Sequence, residues 1–170
     1  MKNLIIPAII LLAAFTRLMP HPPNFTPIIA MGLFGGASIN NRKWAILIPL
    51  LSMLLADIFL GFHMGMFWVY SSILLITLLG SYLRDNMSLL NGFLSSFMGS
   101  FVFFIVTNFG VWFSSSFYSK TIHGLLSCYV AGIPFFINTL AGSIFYAFIM
   151  FYGYKQIKKT FIIMNPNSIQ

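Results

Sequence analysis

The chain has 170 residues, of which 59% are hydrophobic and only 6% are charged, and its formal net charge is +7. A soluble domain carries about 25% charged residues, so the composition excludes an ordinary water-soluble protein and favours one whose surface meets lipid. The length predicts a single domain, 1–170. The positive charge does not indicate nucleic-acid binding, because the basic residues lie in short breaks between apolar segments and form no basic stripe.

The first apolar segment, 4–19, is interpreted as a retained first helix rather than a signal peptide, since no small-residue cleavage site precedes Arg17. Three prolines, Pro20, Pro22 and Pro23, end it because proline cannot continue a helix. A membrane-crossing helix needs about 20 mainly apolar residues. The next segment, 25–39, is short, which leaves a thin span and a re-entrant segment as alternatives.

Further spans are predicted at 44–61, 67–83, 88–113 and 134–154, followed by a polar tail, 155–170. Pro134 is expected to divide the last long apolar run, with a short interfacial helix at 121–130 before it, because proline suits the first turn of a helix. The prediction is therefore an all-α integral membrane bundle of about six transmembrane helices.

Lysine and arginine positions predict the orientation. With both ends in the cytoplasm, six spans leave only Arg17 and Lys120 outside, and the positive-inside rule favours that arrangement. The inner side then holds Lys2, Arg42, Lys43, Arg84, Lys155, Lys158 and Lys159. A five-span alternative with a re-entrant 25–39 puts Lys2, Arg42 and Lys43 outside. The expected location is a membrane that the chain crosses several times.

Polar side chains collect on the predicted outer side. Asp57 is one of only two acidic residues and is the only one inside a predicted span, where a charge is costly and often functional. It is interpreted either as a ligand-orienting carboxylate or as the partner of Arg17 in an ion pair. Seven residues form the candidate solute-binding site: Arg17, His21, Asn24, Asp57, His63, Asn108 and Trp112.

Catalytic and metal-binding patterns are missing from the sequence. No nucleophile elbow, zinc-protease motif or phosphate-binding loop occurs, so we predict that the protein is not an enzyme and has no cofactor and no metal centre of its own. The spacing of His21, His63 and His123 matches no zinc pattern. Cys128 is interpreted as a buried small apolar residue.

Small residues recur at helical spacing in several spans, for example Gly32 and Gly36 in the second and Ser143 and Ala147 in the sixth. Such spacing allows helix backbones to approach closely in lipid. It favours packing within this bundle, and docking of a partner's helices is the alternative.

Several segments carry a family resemblance: RLMPHPPNFTP at 17–27, LFGGA at 33–37, ADIFLGFH at 56–63 and VTNFGVW at 106–112. Over nearly the whole chain they resemble a family of small, uncharacterised bacterial inner-membrane proteins labelled as transport proteins. That family is similar to the S-components of energy-coupling-factor (ECF) vitamin transporters, in size, in six spans and in Asp57-x-x-x-Gly61.

The resemblance implies capture of a vitamin-like solute or a metal from outside, and docking to an energising ATPase and transmembrane module. The Ala-x-x-x-Ala docking pattern of S-components is not reproduced by Ala8, Ala13 and Ala14, so a solitary transporter is also considered. The expected function is a membrane transport protein that binds a small solute on its outer face. The alternatives are a non-catalytic assembly or scaffold subunit and an intramembrane enzyme using His and Asp.

Overall fold

The computed structural model describes residues 2–84 and 88–164, and the secondary structure of this part of the chain consists of helices joined by short connections, without a strand. The all-helical prediction is confirmed. The helices are α1 (Lys2–Phe15), which a 3-10 turn (Thr16–Leu18) extends, α2 (Ile28–Ser38), α3 (Arg42–Leu60), α4 (Met66–Ser81), α5 (Leu89–Ser114) and α6 (Ile122–Met164). Residues 165–170 of the predicted tail lie outside the described residues.

Local sequence signals set the helix ends. Asn41 precedes α3, and its side-chain oxygen accepts the backbone N–H groups of Lys43 and Trp44 at 3.0 and 3.4 Å. Ser88 precedes α5 and accepts the N–H of Asn91 at 3.1 Å. Both are preferred N-cap residues because their side chains satisfy donors that the first helical turn leaves free.

The short helix α2 is the centre of the bundle. It contacts all five other helices, which form a ring around it in the order α1, α3, α4, α5, α6 and back to α1. Every residue of α2 from Ile28 to Ala37 is buried. The surrounding helices cover α2 on all sides, so none of its faces is left for lipid or water.

Small residues allow this close packing. A Cβ atom at Gly36 would collide with the backbone of α4 around Thr77, and one at Gly80 would collide with the backbone of α2 at Leu33. The Oγ atoms of Ser100 on α5 and Ser143 on α6 lie 2.9 Å apart. The small residues of the predicted stripes therefore pack helices of this chain against one another.

The prediction that Pro134 separates two helices is wrong. Residues 122–164 form one continuous helix, with Pro134 inside it. Proline removes only one N–H donor from the helix interior, the donor to the carbonyl four residues earlier, and such prolines are tolerated in membrane helices because neighbouring groups compensate.

Within residues 2–84 and 88–164, three helices rather than six are long and apolar enough to cross a membrane by themselves: Arg42–Leu60, Leu90–Ser114 and Ile122–Thr160. At about 1.5 Å per residue, the 11 residues of α2 and the 16 of α4 span roughly 16 and 24 Å. A typical hydrocarbon core is about 30 Å thick. The six-span prediction fails on this length criterion, while the three long helices indicate a membrane protein.

Candidate functional site

Arg17 and Asp57 form a buried ion pair at one end of the bundle. Arg17 Nη1 lies 2.7 Å from Asp57 Oδ1, and the two side chains are 11% and 3% exposed. The same nitrogen donates to the sulfur of Met53 at 3.4 Å. The pair ties the turn after α1 to α3, and we call this end of the bundle, where α3 ends and α4 begins, the Arg17 end.

The second carboxylate oxygen of Asp57 is also engaged. The Tyr70 hydroxyl donates to Oδ2 at 2.8 Å, which connects α4 to the pair. One turn beyond Asp57, α3 stops at Gly61, whose φ of +89° is rarely adopted by other residues. The cluster of Arg17, Asp57 and Tyr70 thus joins three elements, with both carboxylate oxygens bonded.

Residues 19–27 connect α1 to α2 and lie beside this cluster in the chain. Asn24 has a φ of +62°, a left-handed conformation that asparagine tolerates better than most residues. The side-chain amide of Asn138 on α6 donates to the carbonyl of Pro23 at 3.0 Å. His21 and Asn24 are both exposed. This connection is therefore anchored to α6 while it presents two polar side chains at the surface.

An open, mainly apolar groove of about 580 Å³ lies between α3 and α4. Its lining includes Leu50, Met66, Phe67, Tyr70 and Leu74. Tyr70 therefore borders the groove and contacts Asp57 at the same time. His63 lies in the connection just before α4 and is exposed.

Asn108 and Trp112 belong to a different part of the molecule, the hairpin of α5 and α6. The amide of Asn108 donates to the carbonyl of Phe104 at 2.9 Å, and the indole N–H of Trp112 donates to the carbonyl of Ser119 at 2.9 Å. Lys120 lies over the Trp112 ring, with Nζ 5.6 Å from the ring centroid. Within the described residues, no hydrogen bond or ring contact connects Asn108 or Trp112 to the Arg17–Asp57 pair.

Among the described interactions, the Arg17–Asp57 pair is the only hydrogen bond or ion pair between two of the seven predicted site residues. The ion pair considered from the sequence is present, and a role of the seven in binding solute stays a prediction. Sequence reasoning missed Tyr70 and Met53. A buried carboxylate needs a donor for each oxygen, and a tyrosine inside an apolar helix needs a partner for its hydroxyl. Taken together, those two requirements could have identified Tyr70 from the sequence.

In residues 2–84 and 88–164, no group of three or more His, Cys, Asp or Glu side chains comes together that could hold a metal ion. Cys128 is buried, and its thiol donates to the carbonyl of Asn108 at 3.4 Å. This packing agrees with the interpretation of Cys128 as a small buried residue.

The fold and the site describe an all-helical membrane protein with a buried ion pair at one end. The model of a family of unknown function (DUF6580) matches residues 1–166, and the chain belongs to that family. No curated protein and no solved structure matches the chain.

Proposed function

We propose that the protein is a membrane transport protein that binds a small solute at the Arg17 end, with a plan similar to that of ECF S-components. The observation that carries this proposal is that only one nitrogen of the Arg17 guanidinium is used in hydrogen bonds within residues 2–84 and 88–164. Its hydrogen bonds in the described structure, to Asp57 and to Met53, both use Nη1. Its Nε and Nη2 atoms have no hydrogen-bond partner among the described residues, and the side chain is 11% exposed. We infer that these donors are open to a solute.

Such a guanidinium suits recognition of a polar or anionic group. Arginine carries five N–H donors in a fixed fork, and Asp57 and Met53 hold one nitrogen in place. The remaining donors are preorganised for a carboxylate, phosphate or ring carbonyl of the solute. Tyr70 adds an aromatic surface at the groove between α3 and α4. A vitamin-like compound with a ring and a polar group would satisfy both features.

Charge distribution supports an outer location for the Arg17 end. Arg17 is neutralised by Asp57, whereas Arg42 begins α3 at the opposite end and Arg84 follows α4 there. The positive-inside rule favours a cytoplasmic side for that opposite end, and the proposed orientation in a bacterial inner membrane has both termini on the same side. In this arrangement all six helices enter the bilayer, and the ring of helices shields the short α2 from lipid.

Transport against a gradient would need an energy source outside this chain. The ECF-like plan supplies it through an ATPase and transmembrane module as partner, and coupling to an ion gradient is the alternative. The rival function, a scaffold subunit, was motivated by the small-residue stripes. Gly36, Gly80 and Ser143 pack helices of this chain against one another. These small residues therefore give less support to a scaffold subunit, which would use them to bind a partner's helices.

The test is a thermal-stability screen of the purified full chain in detergent, against vitamins, nucleobase-like compounds and transition-metal ions. A ligand that binds only the folded state raises the melting temperature, by about 2.7 kcal/mol of added stability at 100 times its Kd. We expect one compound class with a polar or anionic group to give a saturable shift.

The variant Arg17→Lys identifies the site. It keeps the positive charge beside Asp57 but loses the fork, so one charge-assisted hydrogen bond of about 1.5–3 kcal/mol is lost and affinity falls about 10- to 150-fold. The matched control is Arg84→Lys at the opposite end, which should bind like the wild type. Equal affinity in both variants would remove the Arg17 site from the proposal, and a well-folded protein that no compound stabilises would contradict solute binding.

A further inference from the structure

The end of the bundle opposite Arg17 carries most of the positive charge. We call the basic collar the set of six residues Arg42, Lys43, Arg84, Lys155, Lys158 and Lys159, all of which are exposed. The acidic residue in the described structure, Asp57, is paired with Arg17 at the other end. The other acid of the chain, Asp85, lies outside the described residues. No described carboxylate therefore neutralises the collar.

Contacts with α2 bring the parts of the collar to one end. Arg84 Nη2 donates to the carbonyls of Gly36 and Ile39 at 3.0 and 2.7 Å, at the C-terminal end of α2. The ring of Tyr154 packs on Phe34, with centroids 5.6 Å apart, directly before Lys155. The helix α3 begins only four residues after α2 ends.

Helix stability does not explain these positions. Arg42 and Lys43 occupy the first turn of α3, where the helix dipole disfavours positive charge and where no acidic residue is present. Lys155 and Lys159 are four residues apart on one face of α6, where like charges repel. Both arrangements are unfavourable in isolation, and a bound anionic surface would relieve them.

Exposed aromatic residues lie beside the collar, as expected for a surface at a membrane interface. Trp44, Tyr82 and Tyr152 are 55%, 82% and 52% exposed and lie beside the basic residues of α3, the end of α4 and α6. Tryptophan and tyrosine are enriched where the hydrocarbon core meets the headgroups. Juxtamembrane lysines and arginines at that level attract anionic lipids.

We propose that the basic collar is a binding surface for anionic phospholipid headgroups, which it selects over zwitterionic ones. The collar holds several phosphates at one end of the bundle and anchors α3 and α6 at the same membrane interface. This inference does not depend on solute binding at the Arg17 end.

The experiment uses the full chain reconstituted in vesicles of phosphatidylcholine containing a trace of spin-labelled phosphatidylglycerol or phosphatidylcholine. The fraction of motionally restricted lipid gives the relative affinity of the protein for each headgroup. We expect a several-fold preference for phosphatidylglycerol that declines as salt is raised, since headgroup attraction is screened. An equal affinity for both lipids at low salt would overturn the proposal.

The variant K155Q/K158Q/K159Q removes three charges of the collar. It should lower the preference for phosphatidylglycerol over phosphatidylcholine, by at most about fivefold for each charge removed. The variant K155R/K158R/K159R keeps the charge and should retain the preference. Lys120→Gln removes one positive charge at the other end and should leave the preference unchanged. Loss in the arginine variant, or the same loss in Lys120→Gln as in the triple glutamine variant, would contradict the collar. Circular dichroism confirms that each variant is folded before it is compared.

Discussion

Breaking the Arg17–Asp57 pair should be more harmful than removing it altogether. In Asp57→Leu, Arg17 keeps a charge that is only 11% exposed and the Tyr70 hydroxyl loses its acceptor. In Arg17→Met, the carboxylate keeps Tyr70 but loses its counter-charge. Loss of one partner of a buried pair costs about 3–5 kcal/mol, whereas apolar replacement of both partners is often neutral. We expect Asp57→Leu to be the more destabilising of the two single changes.

The assay is equilibrium unfolding of the full chain in mixed micelles as dodecyl sulfate is increased, for the wild type, the two single variants and Arg17→Met/Asp57→Leu. The double variant should be more stable than either single variant, with a coupling energy at the upper end of the usual range of about 0.5–3 kcal/mol. Additive effects, or single variants that each cost under about 1 kcal/mol, would refute the argument that the pair is desolvated and mutually dependent.

Three glycine-to-alanine substitutions test the packing and the backbone. Gly80→Ala should destabilise the bundle by about 1–3 kcal/mol because its Cβ meets the backbone of α2, whereas Gly92→Ala, with open space around it, should be neutral or stabilise α5 by up to about 1 kcal/mol. Gly61→Ala also has open space, but its φ of +89° should cost about 1–3 kcal/mol. Micelle unfolding measures all three, and equal effects of Gly61→Ala and Gly92→Ala would exclude backbone strain at Gly61.

Sequence pattern predicted the helical class because a polar break separates each apolar segment from the next. The segment 44–61, for example, contains most of α3, which runs from Arg42 to Leu60. The pattern overestimated the effect of Pro134. In lipid no water is available to bond the backbone groups that a break would expose, so a helix that continues through a single proline is more stable than one that stops there. It also gave no indication that α2 is central, because a uniformly apolar helix carries no record of which neighbours surround it.

The candidate site was only partly predictable. The scarcity of charged residues identified Arg17 and Asp57, because a charge in an apolar segment requires a partner. The predicted convergence of Asn108 and Trp112 with them is not seen in the described contacts, because these two residues bond within the α5–α6 hairpin. A shared side of the membrane does not specify which helices are neighbours, and that information comes only from packing.

Uptake into vesicles tests the central claim most directly. The full chain, with any partner it requires, is reconstituted, and accumulation of the compound found in the stability screen is measured for the wild type, Arg17→Lys and Arg84→Lys. We predict uptake above that of empty vesicles, reduced at least about tenfold by Arg17→Lys and unchanged by Arg84→Lys. Uptake that is equally strong in Arg17→Lys, or binding without any uptake in the wild type, would contradict a transport protein with its solute site at the Arg17 end.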